Sequence, residues 1–208
     1  MLTEQKKALA LELFNIGAIK FGAFKLKLHE KNPNAPLSPI YIDLRILRSF
    51  PAAMSLAVNV YKELISGITF DVYADVPTAA TPIVAVIAHE TKRPMITPRK
   101  DEKAHGNKYP IDGVFKEGDI ALLIDDLITN ATSKVEAISV LENNSLKVHD
   151  VVVLIDRQQG GVQELAKHGY TCHVAYDIKE LLQLYLENER ISTQQYEQTT
   201  AYLKNPLG

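Results

Sequence analysis

The chain has 208 residues, 46% of them hydrophobic and 23% charged, with a formal net charge of −2. That length supports one well-buried core and is short for two independent domains, and so nearly neutral a chain offers no field to recruit nucleic acid or a membrane surface. Its lone cysteine, Cys172, excludes an internal disulfide framework, residues 1–8 lack the apolar core of a signal peptide, and no apolar run reaches bilayer length, so a cytoplasmic location is expected.

Leu9, Leu13, Ile16 and Lys20 recur at helical spacing, which predicts a helix over residues 3–20. Residues 38–44 read as a strand behind a loop with two prolines, and residues 52–66 as an amphipathic helix closed by Gly67. The chain then alternates. Strands are expected at 70–76, 95–97, 120–124, 151–155 and 172–176, and helices at 80–91, 134–141, 162–168, 178–188 and 193–203. Apolar strands separated by helices imply an α/β fold with a parallel sheet covered on both faces. Ligands in such sheets sit outside the carboxyl ends of the strands.

The most informative segment is Ile-Ala-Leu-Leu-Ile-Asp-Asp-Leu-Ile-Thr-Asn-Ala-Thr-Ser, residues 120–133. It reads as a buried strand ending in Asp125 and Asp126, then small polar residues, then a helix start with Ser133 and Glu136 spaced as a capping box. A helix N-terminus after a strand offers unpaired N–H groups and a positive dipole end to a phosphate. Carboxylates just before it must face something else, and hydroxyl groups or a metal ion satisfy them. Phosphate beside a diol describes a phosphorylated ribose. The plainer alternative is an ordinary polar strand–loop–helix joint.

Further segments carry polar residues in distinctive order. Residues 99–108 pack Arg99, Lys100, Lys103, Lys108 and His105 with two acids and Gly106; alone, such a run is ordinarily a solvated loop. Ser-Pro-Ile-Tyr-Ile-Asp-Leu-Arg at 38–45 reads as an alternating edge strand, and Phe-Gly-Ala-Phe-Lys-Leu-Lys at 21–27 ends on what would otherwise be a surface lysine, Lys27. Leu-Ile-Asp-Arg-Gln-Gln-Gly-Gly at 154–161 places Asp156 and Arg157 where a strand-end ion pair is the simple reading.

Together these segments, in register from Phe14 to Leu203, resemble the orotate phosphoribosyltransferases, a family of type I phosphoribosyltransferases. The resemblance implies one phosphoribosyltransferase domain over residues 1–208: a hood and base-binding region (1–50), a core (51–180) and C-terminal helices (181–208). It implies transfer of the ribose 5-phosphate of phosphoribosyl pyrophosphate to orotate, with Mg²⁺, in a homodimer with shared active sites. By the same resemblance, Thr129, Asn130, Ala131, Thr132 and Ser133 hold the 5-phosphate, and Asp125 and Asp126 the ribose hydroxyls. Arg99, Lys100, Lys103 and His105 reach the pyrophosphate from the partner subunit. Lys27 and the strand bearing Tyr41 meet the base, Arg157 reads its carboxylate, and Thr129 is a second contact.

Three departures from the family pattern set expectations of their own. Asn130 and Ala131 stand where threonine and glycine are usual, so a Cβ is expected to crowd the phosphate or restrict a backbone angle. Asp75 stands in the stretch that elsewhere helps hold pyrophosphate and is expected to oppose an anion. The loop 28–37 is longer than usual. These departures leave two alternatives open, a non-catalytic sensor on the same fold and a transferase for another base.

Overall fold

The computed structural model describes residues 2–26, 28–99 and 110–204. Helix α1 (Glu4–Asn15) opens the chain, followed by strand β1 (Ile19–Phe24), a helical turn α2 (Leu28–Lys31) and strand β2 (Ser38–Ile42). A 3-10 turn (Leu44–Ser49) leads into α3 (Pro51–Ile65). Then come β3 (Val72–Asp75), α4 (Thr81–Thr91), β4 (Met95–Pro98), β5 (Ile111–Asp112), β6 (Ile120–Ile128) and α5 (Thr132–Glu142). The chain continues through β7 (Lys147–Asp156), α6 (Gly161–Lys167), β8 (Thr171–Asp177), α7 (Ile178–Glu187) and α8 (Thr193–Lys204).

The expected helix over 3–20 is shorter than its apolar spacing suggests. Gly17 takes φ +73°, and the Ala18 N–H reaches back to the Leu13 carbonyl at 2.9 Å, a turn that satisfies the last carbonyls and ends the helix. Lys20 therefore lies in β1, paired antiparallel with Tyr41 of β2. The central strand, by contrast, runs on past residue 124. Asp125 and Asp126 lie within β6, and the strand ends only at Ile128, because β7 pairs with it as far as Ile128↔Asp156.

Six strands form one sheet in the order β5-β4-β3-β6-β7-β8, with only β5 antiparallel, and β1 and β2 form a separate hairpin. Along β6 the side chains alternate between two cores: Leu122 and Ile124 join the cluster under α1, α3, α4 and α7, while Ala121 and Leu123 join the one under α5 and α6. Both faces are buried, as the continuous apolar run requires. From β3 the chain steps to β4 on one side, and from β6 it steps to β7 on the other. The order thus reverses between β3 and β6, where open α/β sheets leave a crevice at their carboxyl ends.

Packing at that edge is close. A Cβ built on Gly161, the first residue of α6, would lie 2.4 Å from the Thr129 carbonyl oxygen and 2.5 Å from Ile128 Cγ1. Gly161→Ala is therefore expected to lower unfolding free energy by about 1–3 kcal/mol, the usual range for overpacking, since one obstacle is backbone. Urea denaturation of the variant against the parent chain checks this.

Candidate active site

Strand β6 is pinned at its tip from both faces. From α3, the buried Tyr61 hydroxyl donates to the Asp125 carbonyl at 2.8 Å. From α5, Lys134 Nζ lies 2.5 Å from Asp125 Oδ2 and also donates to the Leu127 carbonyl. Both charged side chains are almost wholly buried, Lys134 at 4% exposure and Asp125 at 4%. Lys134 is a residue that the motif reading missed. Its signal was available: it stands one turn before Ala137 and Ile138 and two before Leu141, on the apolar face of α5.

The two acids differ in surroundings. Asp125 is occupied by Lys134, whereas Asp126 is half-buried and uses Oδ1 to accept the Leu127 N–H at 2.8 Å. Desolvation first, and then the neighbouring Asp125 charge, push the Asp126 carboxyl up to about 7.

Between β6 and α5 the chain turns on Ala131, which adopts φ +64°, the left-handed region that glycine takes freely. Its methyl does not face outward: Ala131 is 2% exposed and packs in the cluster beneath α5. The expected crowding of a phosphate by this Cβ is thus not found, though the backbone restriction is real. The expected Ser133–Glu136 capping box is also absent. Helix α5 begins one residue earlier, at Thr132, and its N-cap residue, Ala131, has no side chain able to cap it. Lys134 and Val135 donate to the Ala131 carbonyl, while Asn130 Oδ1 accepts from the Thr132 amide at 3.3 Å and its hydroxyl at 3.0 Å. A helix start just after a buried strand, with Asn130 engaging only its Thr132 N–H, is suited to an anion.

Asp75 does not oppose such an anion. It is fully buried, and its carboxylate accepts hydrogen bonds from the hydroxyls of Thr81 and of Thr97, the latter at 2.5 Å. Beyond it, the Pro77–Thr78 peptide is cis. Val76, Pro77, Pro98, Arg99, Ser133, Glu136, Ala137 and Val140 line an open cleft of about 300 Å³. Arg99 directly follows β4 here and pairs with Asp112 of β5 at 3.3 Å. Lys27, Lys100, Lys103 and His105 lie outside the described residues.

At the end of β7, the Arg157 N–H donates to the Ile128 carbonyl at 3.0 Å, so this arginine sits one strand over from Thr129 and the loop behind it. Arg157 is 9% exposed, and its buried Nε and Nη2 have no hydrogen-bond partner among the described residues. Desolvation lowers its pKa from the ordinary arginine value, but a guanidinium keeps its charge. A buried cation with unmatched N–H groups calls for an anionic acceptor. Tyr41 lies on β2, its ring 5.5 Å from that of Phe24, with its hydroxyl accepting from Arg45 at 3.1 Å.

Known proteins resemble the chain over most of its length. The chain is 33% identical over 172 residues to the orotate phosphoribosyltransferase of Pyrobaculum aerophilum, covering 82% of this chain and 86% of that protein. The chain belongs to the orotate phosphoribosyltransferase family. It is also 33% identical over 193 residues to the bifunctional enzyme PyrF/PyrE of a Nostoc species, covering 93% of this chain but 39% of that enzyme. Among solved structures, Leishmania donovani UMP synthase superposes with a TM-score of 0.85 at 36% identity, over 96% of this chain and 42% of that one. The chain thus spans about two fifths of the length of these two relatives. No family model matches the sequence.

Within this family fold, the acids at the tip of β6 make stability depend on charge. Lys134→Met leaves Asp125 buried without its cation and is expected to cost about 3–5 kcal/mol, with Lys134→Met/Asp125→Asn recovering a large part; urea titrations of the three proteins check it. A second expectation concerns pH. Between about pH 4 and pH 7 the unfolded chain ionises at position 126 while the folded chain keeps its proton, so stability falls as pH rises and levels off above that window. Asp126→Asn is expected to flatten this slope, leaving the smaller contributions of Asp75 and Asp156, whose values are also raised by desolvation.

Proposed function

We propose that this chain is an orotate phosphoribosyltransferase. It transfers the ribose 5-phosphate of phosphoribosyl pyrophosphate to orotate, releasing pyrophosphate and forming orotidine 5-phosphate for pyrimidine nucleotide synthesis. The observation that carries this reading is the guanidinium of Arg157, its Nε and Nη2 unmatched among the described residues, held one strand away from the start of α5. An anionic base and a sugar phosphate together satisfy both.

In this reading the donor's 5-phosphate lies against residues Thr129 to Ser133 at the start of α5, held by backbone N–H groups and hydroxyls. Asp126, half-buried beside that loop, takes the ribose hydroxyls, while Asp125, tied to Lys134, keeps the strand tip in place. Arg157 grips the carboxylate of orotate with its planar fork. Thr129, Tyr41 and Lys27 flank the base. Breaking the bond from the anomeric carbon to pyrophosphate develops cationic character on the sugar and charge on the leaving group. The chain therefore acts chiefly by positioning and by electrostatics. Arg99, Lys100, Lys103 and His105 meet the pyrophosphate across the interface of a homodimer.

In this reading Mg²⁺ would be carried by the donor's diphosphate rather than by a cage of protein side chains, and would supply neutralisation of its charge. The lone Cys172 suits a reducing cytoplasm. The two departures that motivated a sensor are accommodated: the Ala131 methyl is turned into the core, and Asp75 is sealed by two threonines.

Purified protein with Mg²⁺, orotate and phosphoribosyl pyrophosphate is expected to consume the orotate absorbance. Lys103→Ala is expected to lower kcat about 100-fold or more while changing donor affinity much less, the pattern of a group that acts on developing charge. Loss of affinity with an unchanged rate would instead favour a binding role for the charged segment.

A further inference from the structure

The loop from Val76 to Ala80 joins β3 to α4, and its first two residues, Val76 and Pro77, line the cleft together with Ser133 from the start of α5. It has no charged side chain of its own. Backbone bonds fix its two ends: the Val76 N–H donates to the Ile124 carbonyl at 3.1 Å, and the Ala80 carbonyl accepts from the Val84 N–H at 2.9 Å. Its middle is held by a side chain from outside. Arg48, exposed on the 3-10 turn 30 residues before Thr78, donates from Nη2 to the Thr78 carbonyl at 3.1 Å. The same guanidinium donates from Nε to the Arg45 carbonyl at 2.9 Å.

An exposed arginine that spans two carbonyls gives up side-chain freedom, and surface contacts of this kind add little to stability. Their consequence here is geometric. The guanidinium is planar and rigid, so two bonds from different nitrogens fix its plane, and through it the direction of the Thr78 carbonyl. The Thr78–Ala79 peptide is trans. In a trans peptide the C=O and the next N–H are antiparallel, so a carbonyl held by Arg48 turns the Ala79 N–H to the opposite side. Thr78 is exposed and Ala79 half-buried, which leaves that peptide within reach of a ligand. Oriented backbone N–H groups in such turns are a common means of holding an anion.

We propose that Arg48 is a positioning residue for the pyrophosphate end of the donor: by holding the Thr78 carbonyl, it aims the Ala79 N–H at the leaving group. The inference rests on the reading of this chain as an orotate phosphoribosyltransferase and brings the turn after β2 into the donor site. It is the fork of the guanidinium that matters, since a single ammonium nitrogen cannot keep both the Arg45 and the Thr78 carbonyls in the same geometry. Its effect is confined to the pyrophosphate, because the sugar phosphate is gripped separately at the start of α5.

The test compares two ligands by titration calorimetry with Mg²⁺: phosphoribosyl pyrophosphate, and ribose 5-phosphate, which lacks the leaving group. Arg48→Ala is expected to weaken phosphoribosyl pyrophosphate about 10-fold, as for loss of one hydrogen bond to a charged group, and to leave ribose 5-phosphate within about twofold of the parent. Arg48→Lys, which keeps the charge, is expected to bind phosphoribosyl pyrophosphate as weakly as Arg48→Ala. Both variants should melt within about 2 °C of the parent, the ordinary effect of a surface substitution. Unchanged binding in Arg48→Ala, equal weakening of both ligands, or full recovery in Arg48→Lys would each overturn the proposal; the last would mean that only the charge matters. In any of these cases a parent protein that still forms orotidine 5-phosphate keeps the functional reading intact. If the parent binds neither ligand and leaves orotate unchanged, that reading fails and takes this inference with it.

Discussion

A cation and an anion held 2.5 Å apart, almost entirely out of water, join strand β6 to helix α5. The five residues between Ile128 and Lys134 must close the turn within the span that this contact leaves. Removing two charges from water is expensive, and a buried ion pair is weak evidence for stability by itself. Its value here is positional. Lys134 also donates to the Leu127 carbonyl, and Tyr61 holds the Asp125 carbonyl from the opposite face, so the strand tip cannot twist without breaking a buried hydrogen bond. The left-handed turn at Ala131 and the start of α5 at Thr132 lie within that frame.

The reversal of strand order between β3 and β6 brings the other half of the site to the same edge. On one side, β3 and β4 end in the Pro77 and Arg99 walls of the cleft. On the other, β7 delivers Arg157 alongside Ile128. Charge is sorted across this edge. The carboxylates of Asp75 and Asp125 are engaged by neighbouring threonines and a lysine, and that of Asp126 is raised toward neutrality, while Nε and Nη2 of Arg157 have no hydrogen-bond partner among the described residues. A site that retires its anions and leaves a cation unmatched is arranged for a negatively charged ligand.

The strands and helices were largely legible because periodicity reports burial, and most elements of this fold bury one face or two. The sequence reading went astray where tertiary pairing overrode it. Strand β6 continues through Asp125 and Asp126 because β7 runs beside it and Lys134 neutralises the first acid, which no local pattern announces. Helix α1 stops early because Gly17 reverses the backbone, although Ile16 and Lys20 keep the helical spacing. Asp75 read as an obstacle to anions, since nothing in its own stretch shows that Thr97, 22 residues away, will donate a hydrogen bond to its carboxylate. Arg157 was legible as a motif residue, but its want of a partner was not. Lys134 could have been suspected, as a polar residue on an otherwise apolar helix face.

Crystals of the protein grown with phosphoribosyl pyrophosphate and Mg²⁺ test the central claim most directly. The account predicts the 5-phosphate within hydrogen-bonding distance of the backbone amides of residues 131–133, with the ribose hydroxyls on Asp126. Density for the sugar phosphate at another strand end, or a loop left bare at saturating concentration, would contradict it.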